Sequence, residues 1–146
     1  MEKTWKDLCK SETASQRGIN NVPGEVEIAC LEALIRYVVN PIMNHYPSAS
    51  ISSGFRCREL NKAVGGVENS QHVKGQAVDL VVVIPGYTIK ESIMDLYEYV
   101  TSNFRFDQLI VYPTFVHISF VVFGNRMEVI NKAPQCFPSI PRKARL

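Results

Sequence analysis

Two histidines and one aspartate stand in three segments whose character suits metal chemistry. His72 lies in Ser70-Gln71-His72-Val73-Lys74-Gly75, Asp79 in Ala77-Val78-Asp79-Leu80-Val81-Val82-Val83, and His117 in Thr114-Phe115-Val116-His117-Ile118-Ser119-Phe120. Zinc accepts nitrogen and oxygen donors, and three protein ligands leave the fourth tetrahedral position to a water. The set His72, Asp79 and His117 therefore reads as a mononuclear zinc site with an open position, holding one Zn2+ ion. Taken singly, a strand histidine is more often a structural residue, and an aspartate among valines can cap a turn. Together the balance reverses, because a carboxylate inside a buried valine-rich strand is costly unless it is paired or bound to a metal. His45, in Asn44-His45-Tyr46-Pro47, has no such setting and reads as structural or surface.

These side chains need elements to position them. The β-branched run 77–83 predicts a strand, and the alternation in 115–123 predicts a second, with His117 and Ser119 on one face and Val116, Ile118 and Phe120 on the other. Between the strand and His72, Lys74-Gly75 permits a turn. Upstream, Glu25 to Met43 carries Val26, Ala29, Cys30, Ala33, Leu34, Val38 and Ile42 at helical spacing, with Pro41 as a kink. Ser50 to Ser53 predicts a short strand leading into a turn at Arg56, and Cys57 to Val64 a short helix closed by Gly65-Gly66. Thr88-Ile89-Lys90-Glu91 fits a capping box opening a helix through Ile93, Leu96 and Val100. Strands at 106–112 and 115–123 meet at Pro113-Thr114, and Gly124-Asn125 predicts a hairpin turn into 126–130. The expected class is α+β, a small antiparallel sheet with flanking helices, as one domain over residues 1–133 followed by an irregular basic tail at 134–146.

Composition sets bounds. The 146 residues are 46% hydrophobic, enough for one core, and the net charge is +2. A pI near 8.4 is too mild to argue for nucleic acid. No run of about eighteen apolar residues predicts a membrane span, and the polar opening Met1-Glu2-Lys3-Thr4-Trp5-Lys6-Asp7 is not a leader, so a chain made in the cytoplasm is expected. Cys9, Cys30, Cys57 and Cys136 are widely spaced and read as reduced thiols. A cysteine nucleophile partnered by a histidine would leave Asp79 without purpose.

Ser53-Gly54-Phe55-Arg56, Leu60-Asn61-Lys62-Ala63-Val64-Gly65-Gly66, Ser70-Gln71-His72 with Gly75, Ala77 and Asp79, Phe106-Asp107-Gln108-Leu109-Ile110, and Val116-His117-Ile118-Ser119 together resemble the M15 family of zinc peptidases. The likeness is to its small phage and prophage members, described as D-alanyl-D-alanine carboxypeptidase-like or endolysin-like, and spans residues from about 11 to about 123. It implies a hedgehog/DD-peptidase-like fold and zinc held by His72, Asp79 and His117. It also implies a zinc-activated water that cuts peptide bonds of peptidoglycan stem peptides, with Arg56 stabilising the oxyanion. By the same likeness Ser70 and Gln71 orient the ligand loop or the substrate, and Ser119 bonds substrate or supports a ligand. A peptidoglycan peptide as partner, no nucleic acid, no membrane insertion and a monomer are expected, with action at the cell wall after release or as a virion component.

One departure bears on mechanism. Many M15 enzymes place an acidic general base three residues before the second zinc histidine, where this chain has Thr114, and a hydroxyl is no base near neutral pH. Asp107 is the nearest acidic alternative, either as that base or as a residue that caps or orients the start of its strand. Glu68 is a weaker alternative. Without a base, a metal-binding module that holds wall peptides or a partner but no longer turns over is the second reading.

Overall fold

The computed structural model describes residues 2–146. A 3-10 turn at Trp5–Cys9 and a short helix α1 (Glu12–Arg17) precede the main helical arm, which runs α2 (Glu25–Leu34), a π segment (Ile35–Val39) and α3 (Asn40–His45). The amide of Asn40 reaches back to the Ile35 carbonyl, so the turn before Pro41 is one residue wide of α-helical spacing. Proline offers no N–H to the preceding turn, and a π bulge there lets the helix pass it unbroken. Leu31, Leu34, Ile35, Val38, Val39 and Ile42 enter the core, while Val26, expected on that face, is 73% exposed.

Six strands form one sheet in the order β1-β2-β4-β3-β5-β6: β1 (Ser50–Ser53), β2 (Ala77–Val81), β3 (Gln108–Val111), β4 (Val116–Ser119), β5 (Glu128–Asn131) and β6 (Lys143–Arg145). Alternation sorts the two faces as the sequence predicts. Val78, Leu80, Leu109, Val111, Val116, Ile118 and Val129 are fully buried and join Ile93, Leu96 and Val100 of helix α5 (Ile89–Asn103) in one core. The capping box that opens α5 is present, the Glu91 amide donating to Thr88 Oγ1 and the Thr88 amide to Glu91 Oε1. Helix α4 (Arg58–Ala63) ends at Gly65, whose φ of +75° is the left-handed conformation that glycine adopts freely.

Two expectations about the carboxyl-terminal third are corrected. The chain bends at Val122 and Phe123, where Asn125 bonds back to Val121, but the strands on either side do not pair with each other; β5 lies beside β3, parallel to it. The chain leaves β4, crosses the start of β3, and continues on the far side. The tail is also not irregular throughout, since Lys143–Arg145 pairs antiparallel with β5, and Phe137 and Ile140 are buried. Asn131 secures them, its Nδ2 donating to the carbonyls of Phe137 and Ile140. A basic strand suits a sheet edge, where charged side chains discourage further pairing. No helix among the described residues is long and apolar enough to cross a membrane.

Candidate metal centre

Asp79 on β2 stands directly opposite His117 on β4, and on its other side Ser53 of β1 faces it across the sheet. The β1–β2 pairing slips by one residue between Ile51 and Ser53, a bulge that turns the strand end toward the site. His72 arrives from the loop between α4 and β2. His72 Nε2 lies 3.2 Å and His117 Nδ1 2.9 Å from Asp79 Oδ1, and one ligand atom from each residue falls within 4.8 Å of the others. The three side chains expected to meet do so.

The loop carrying His72 is held by close backbone approaches that only glycine allows. A Cβ on Gly54 would run into the Leu8 carbonyl, and the Gly54 carbonyl in turn accepts a hydrogen bond from His72 Nδ1 at 2.7 Å. Gly75, with φ of +72°, sits so near helix α2 that a Cβ would stand 2.5 Å from the Glu27 carbonyl oxygen. Because a carbonyl only accepts, the proton of His72 is on Nδ1 and the Nε2 lone pair faces the Asp79 carboxylate. Burial disfavours a second proton and lowers the His72 pKa, with the Asp79 bond opposing it. A lone pair and a carboxylate oxygen repel unless a cation lies between them. Burial acts to raise the Asp79 carboxyl, yet the two imidazoles beside it outweigh that and hold it far below the usual range. Two imidazoles and a buried carboxylate that stays ionised make a donor set that suits a divalent ion of zinc's kind.

Arg56 is part of the same centre. Its guanidinium lies 3.8 Å from Asp79 Oδ2, while Nε donates to Ser53 Oγ and Nη1 to Asn61 Oδ1. Asn61 is buried and fixed by its own Nδ2, which donates to the Val67 carbonyl. The sequence reading missed Asn61 and Gly66 as supports of Arg56. Their only local signal was the polar residue inside helix α4 and the second of two glycines.

Ser70 accepts from the His72 amide through Oγ and shapes the ligand loop. Gln71 lines the cleft, and its Nε2 donates to Asp107 Oδ2 at 3.0 Å. Ser119 is fully buried, and its Oγ accepts from the Gln108 amide, joining the start of β3 to the end of β4. Asp107 lines the cleft too, but both carboxylate oxygens are engaged. Arg126 donates to Oδ1 from its amide and Nε, each at 3.0 Å, and to Oδ2 from Nη2 at 2.7 Å. Burial would raise the Asp107 carboxyl, but these bonds prevail and lower it. Of the two readings of Asp107, the geometry favours orientation of the strand start over proton abstraction. Thr114 and Glu68 are exposed and do not line the cleft.

The cleft over the three ligands has a volume of about 850 Å³. Tyr112 forms part of its wall and was not singled out from the sequence; burial first, then Asp79, raises its pKa, so it remains a phenol with a proton to donate. No cysteine lines this cleft, and Cys57 Sγ is used in capping α4. A larger hollow of about 1210 Å³, between Trp5 and Tyr37, has neither histidine nor cysteine in its walls. His45 stacks on Tyr99 at 3.8 Å, away from the centre. A sequence model described as Peptidase M15 matches residues 3–119, a span that contains His72, Asp79, His117 and Arg56. No curated protein matches the sequence.

Proposed function

The chain belongs to the peptidase M15 family, and from that premise we propose that it is a zinc-dependent peptidase cutting peptide bonds in peptidoglycan stem peptides. The single observation that carries the zinc is the convergence of His72 Nε2, Asp79 Oδ1 and His117 Nδ1, which all lie within 4.8 Å of one another. When bound there, zinc would lower the pKa of a coordinated water to about 7 and polarise a carbonyl oxygen. The chain's own groups do the rest. His72 presents Nε2, His117 Nδ1 and Asp79 a charged oxygen, and the Gly54 carbonyl holds the His72 tautomer. Arg56, locked by Ser53 and Asn61, supplies a fixed positive charge to an oxyanion forming beside the ligands. Tyr112 offers a hydroxyl proton from the cleft wall to the same oxygen or to the departing amine.

The peptidoglycan substrate and a phage or prophage lysin's role rest on the family likeness, as does access to the wall through a separate membrane-permeabilising protein or as a virion part. Digestion of purified peptidoglycan with and without chelator tests the reading. New amino termini that appear only with metal support it, and their absence with one zinc bound refutes turnover. One observation favours the second reading, a peptide-binding module without catalysis: the Asp107 carboxylate is committed to Arg126. Chelator-sensitive binding of wall peptides with no new termini would establish it.

A further inference from the structure

Arg126 stands in the wall of the metal cleft with one edge of its guanidinium in use. Nε and Nη2 grip Asp107 at 3.0 and 2.7 Å, which leaves both hydrogens of Nη1 and the second of Nη2 without a partner among the described residues. The side chain is 44% exposed, so that edge is open to a ligand. It is also held in place. Asp107 is buried, its own amide donates to the Ser119 carbonyl at 2.8 Å, and Asn125, the residue before Arg126, is bonded twice to Val121. The Asp107 Oδ2 that takes Nη2 also takes Gln71 Nε2 at 3.0 Å, and Gln71 adjoins His72. Ser119 lies two residues beyond His117 on β4, about 7 Å along the strand, and this sets how far the anchor of Arg126 is from the three converging side chains.

The charge of the lining points the same way. Arg56, Lys74 and Arg126 are its cations, and its carboxylates among the described residues, Asp79 and Asp107, are committed to the two histidines and to Arg126. Lys74 is exposed. Glu128, the next acid along the chain from Arg126, is engaged by Gln108 and Lys143. An arginine docked on one edge presents the other as a planar pair of N–H donors, a geometry that a carboxylate meets with both oxygens. We propose that the free edge of Arg126 binds a carboxylate of the peptide substrate, which makes Arg126 a specificity residue for acidic peptides. The inference rests on the peptidase reading above. A span of about 7 Å is bridged by one or two residues of peptide, so the carboxylate belongs to a residue adjoining the cleaved bond. In a stem peptide two groups have this chemistry, the terminal carboxylate of D-alanine and the free α-carboxylate of a γ-linked D-glutamate.

The test uses the full chain with one zinc bound and three peptides: L-Ala-γ-D-Glu-L-Lys-D-Ala-D-Ala, the same peptide amidated at its carboxyl terminus, and the same peptide with D-isoglutamine for D-glutamate. In the wild type at least one amide is cut about tenfold less well than the acid in kcat/KM, the scale of one charge-assisted pair. In Arg126→Gln the acid and that amide are cut within about twofold of each other, and Arg126→Lys, which keeps the charge without the fork, retains part of the ratio. The amide whose cost Arg126→Gln abolishes tells the two carboxylates apart, and the cleaved bond adjoins that residue. A wild type that cuts all three alike overturns the proposal, as does an Arg126→Gln protein that keeps the full ratio. Should Arg126→Gln not fold, an undiminished ratio in Arg126→Lys overturns it instead. If the wild type cuts none of the peptides, the ratio is read from Kd values on the metal-loaded protein. In that case the peptidase reading falls, while the Arg126 site stands if amidation weakens binding in the wild type and not in Arg126→Gln, and falls otherwise.

Discussion

Gly66 and Asn61 are in such close register that a Cβ on the glycine would run into Asn61 Oδ1 and stand 3.0 Å from Arg56 Nη1. Asn61 cannot retreat, since it is buried and bonded to the Val67 carbonyl. The pair therefore sets where the Arg56 charge sits, from a distance of several residues and without either side chain being a ligand.

Gly66→Ala is expected to lower kcat by about tenfold or more, short of the 10²–10³ that follows complete loss of an oxyanion donor. Bound zinc stays at the wild-type ratio, because the three ligands are untouched. Steady-state kinetics alongside elemental analysis checks it; an unchanged kcat means that Arg56 does not depend on this support.

Metal binds the folded site and not the unfolded chain, so zinc stabilises by about 2.7 kcal/mol at a hundredfold excess over Kd. Chelator should lower Tm by roughly 10 °C for a chain of this size. In Asp79→Asn or His117→Ala the same chelator should leave Tm where it was. Equal shifts in wild type and variants would remove these residues as ligands.

Asp107→Asn should raise KM while kcat stays within about threefold, since the residue braces the cleft walls through Gln71 and Arg126. Removal of a general base costs about 10²–10⁴ in kcat. A loss of that size, with metal retained, would return the proton-abstracting role to Asp107.

Stability should fall in acid partly through the same carboxyl. Arg126 keeps the folded Asp107 pKa below its unfolded value of about 3.9, so the unfolded chain binds the extra proton. The contribution is whole above about pH 5 and is lost as pH falls through the carboxylate range. Urea midpoints of Asp107→Asn should therefore decline less between about pH 5 and pH 3 than those of the wild type; parallel slopes contradict the ion pair.

Tyr112→Phe removes a cleft hydroxyl that burial keeps protonated, without altering the apolar wall that stacks on Phe115 at 4.4 Å. A fall in kcat of about tenfold, with KM and metal content held, is the expected result. Unaltered kcat assigns Tyr112 to packing alone.

The trio His72, Asp79 and His117 was legible in the sequence because two of its members, Asp79 and His117, break a local rule in their own strands. An aspartate among valines and a histidine in an alternating strand are conflicts with burial that a metal resolves. The capping box of α5 and the inward faces of β2 and β4 were equally readable, since they depend on spacing along one stretch of chain. Where β5 would pair could not be read that way: Gly124-Asn125 reports a turn, and only the sheet's order places its exit strand beside β3 rather than β4. The same crossing brings Arg126 to Asp107 across 19 positions. Tertiary structure likewise decided that Asn61 and Gly66 govern Arg56 and that the tail completes the sheet, because hydrogen-bond partners and close approaches between distant segments leave no periodicity behind.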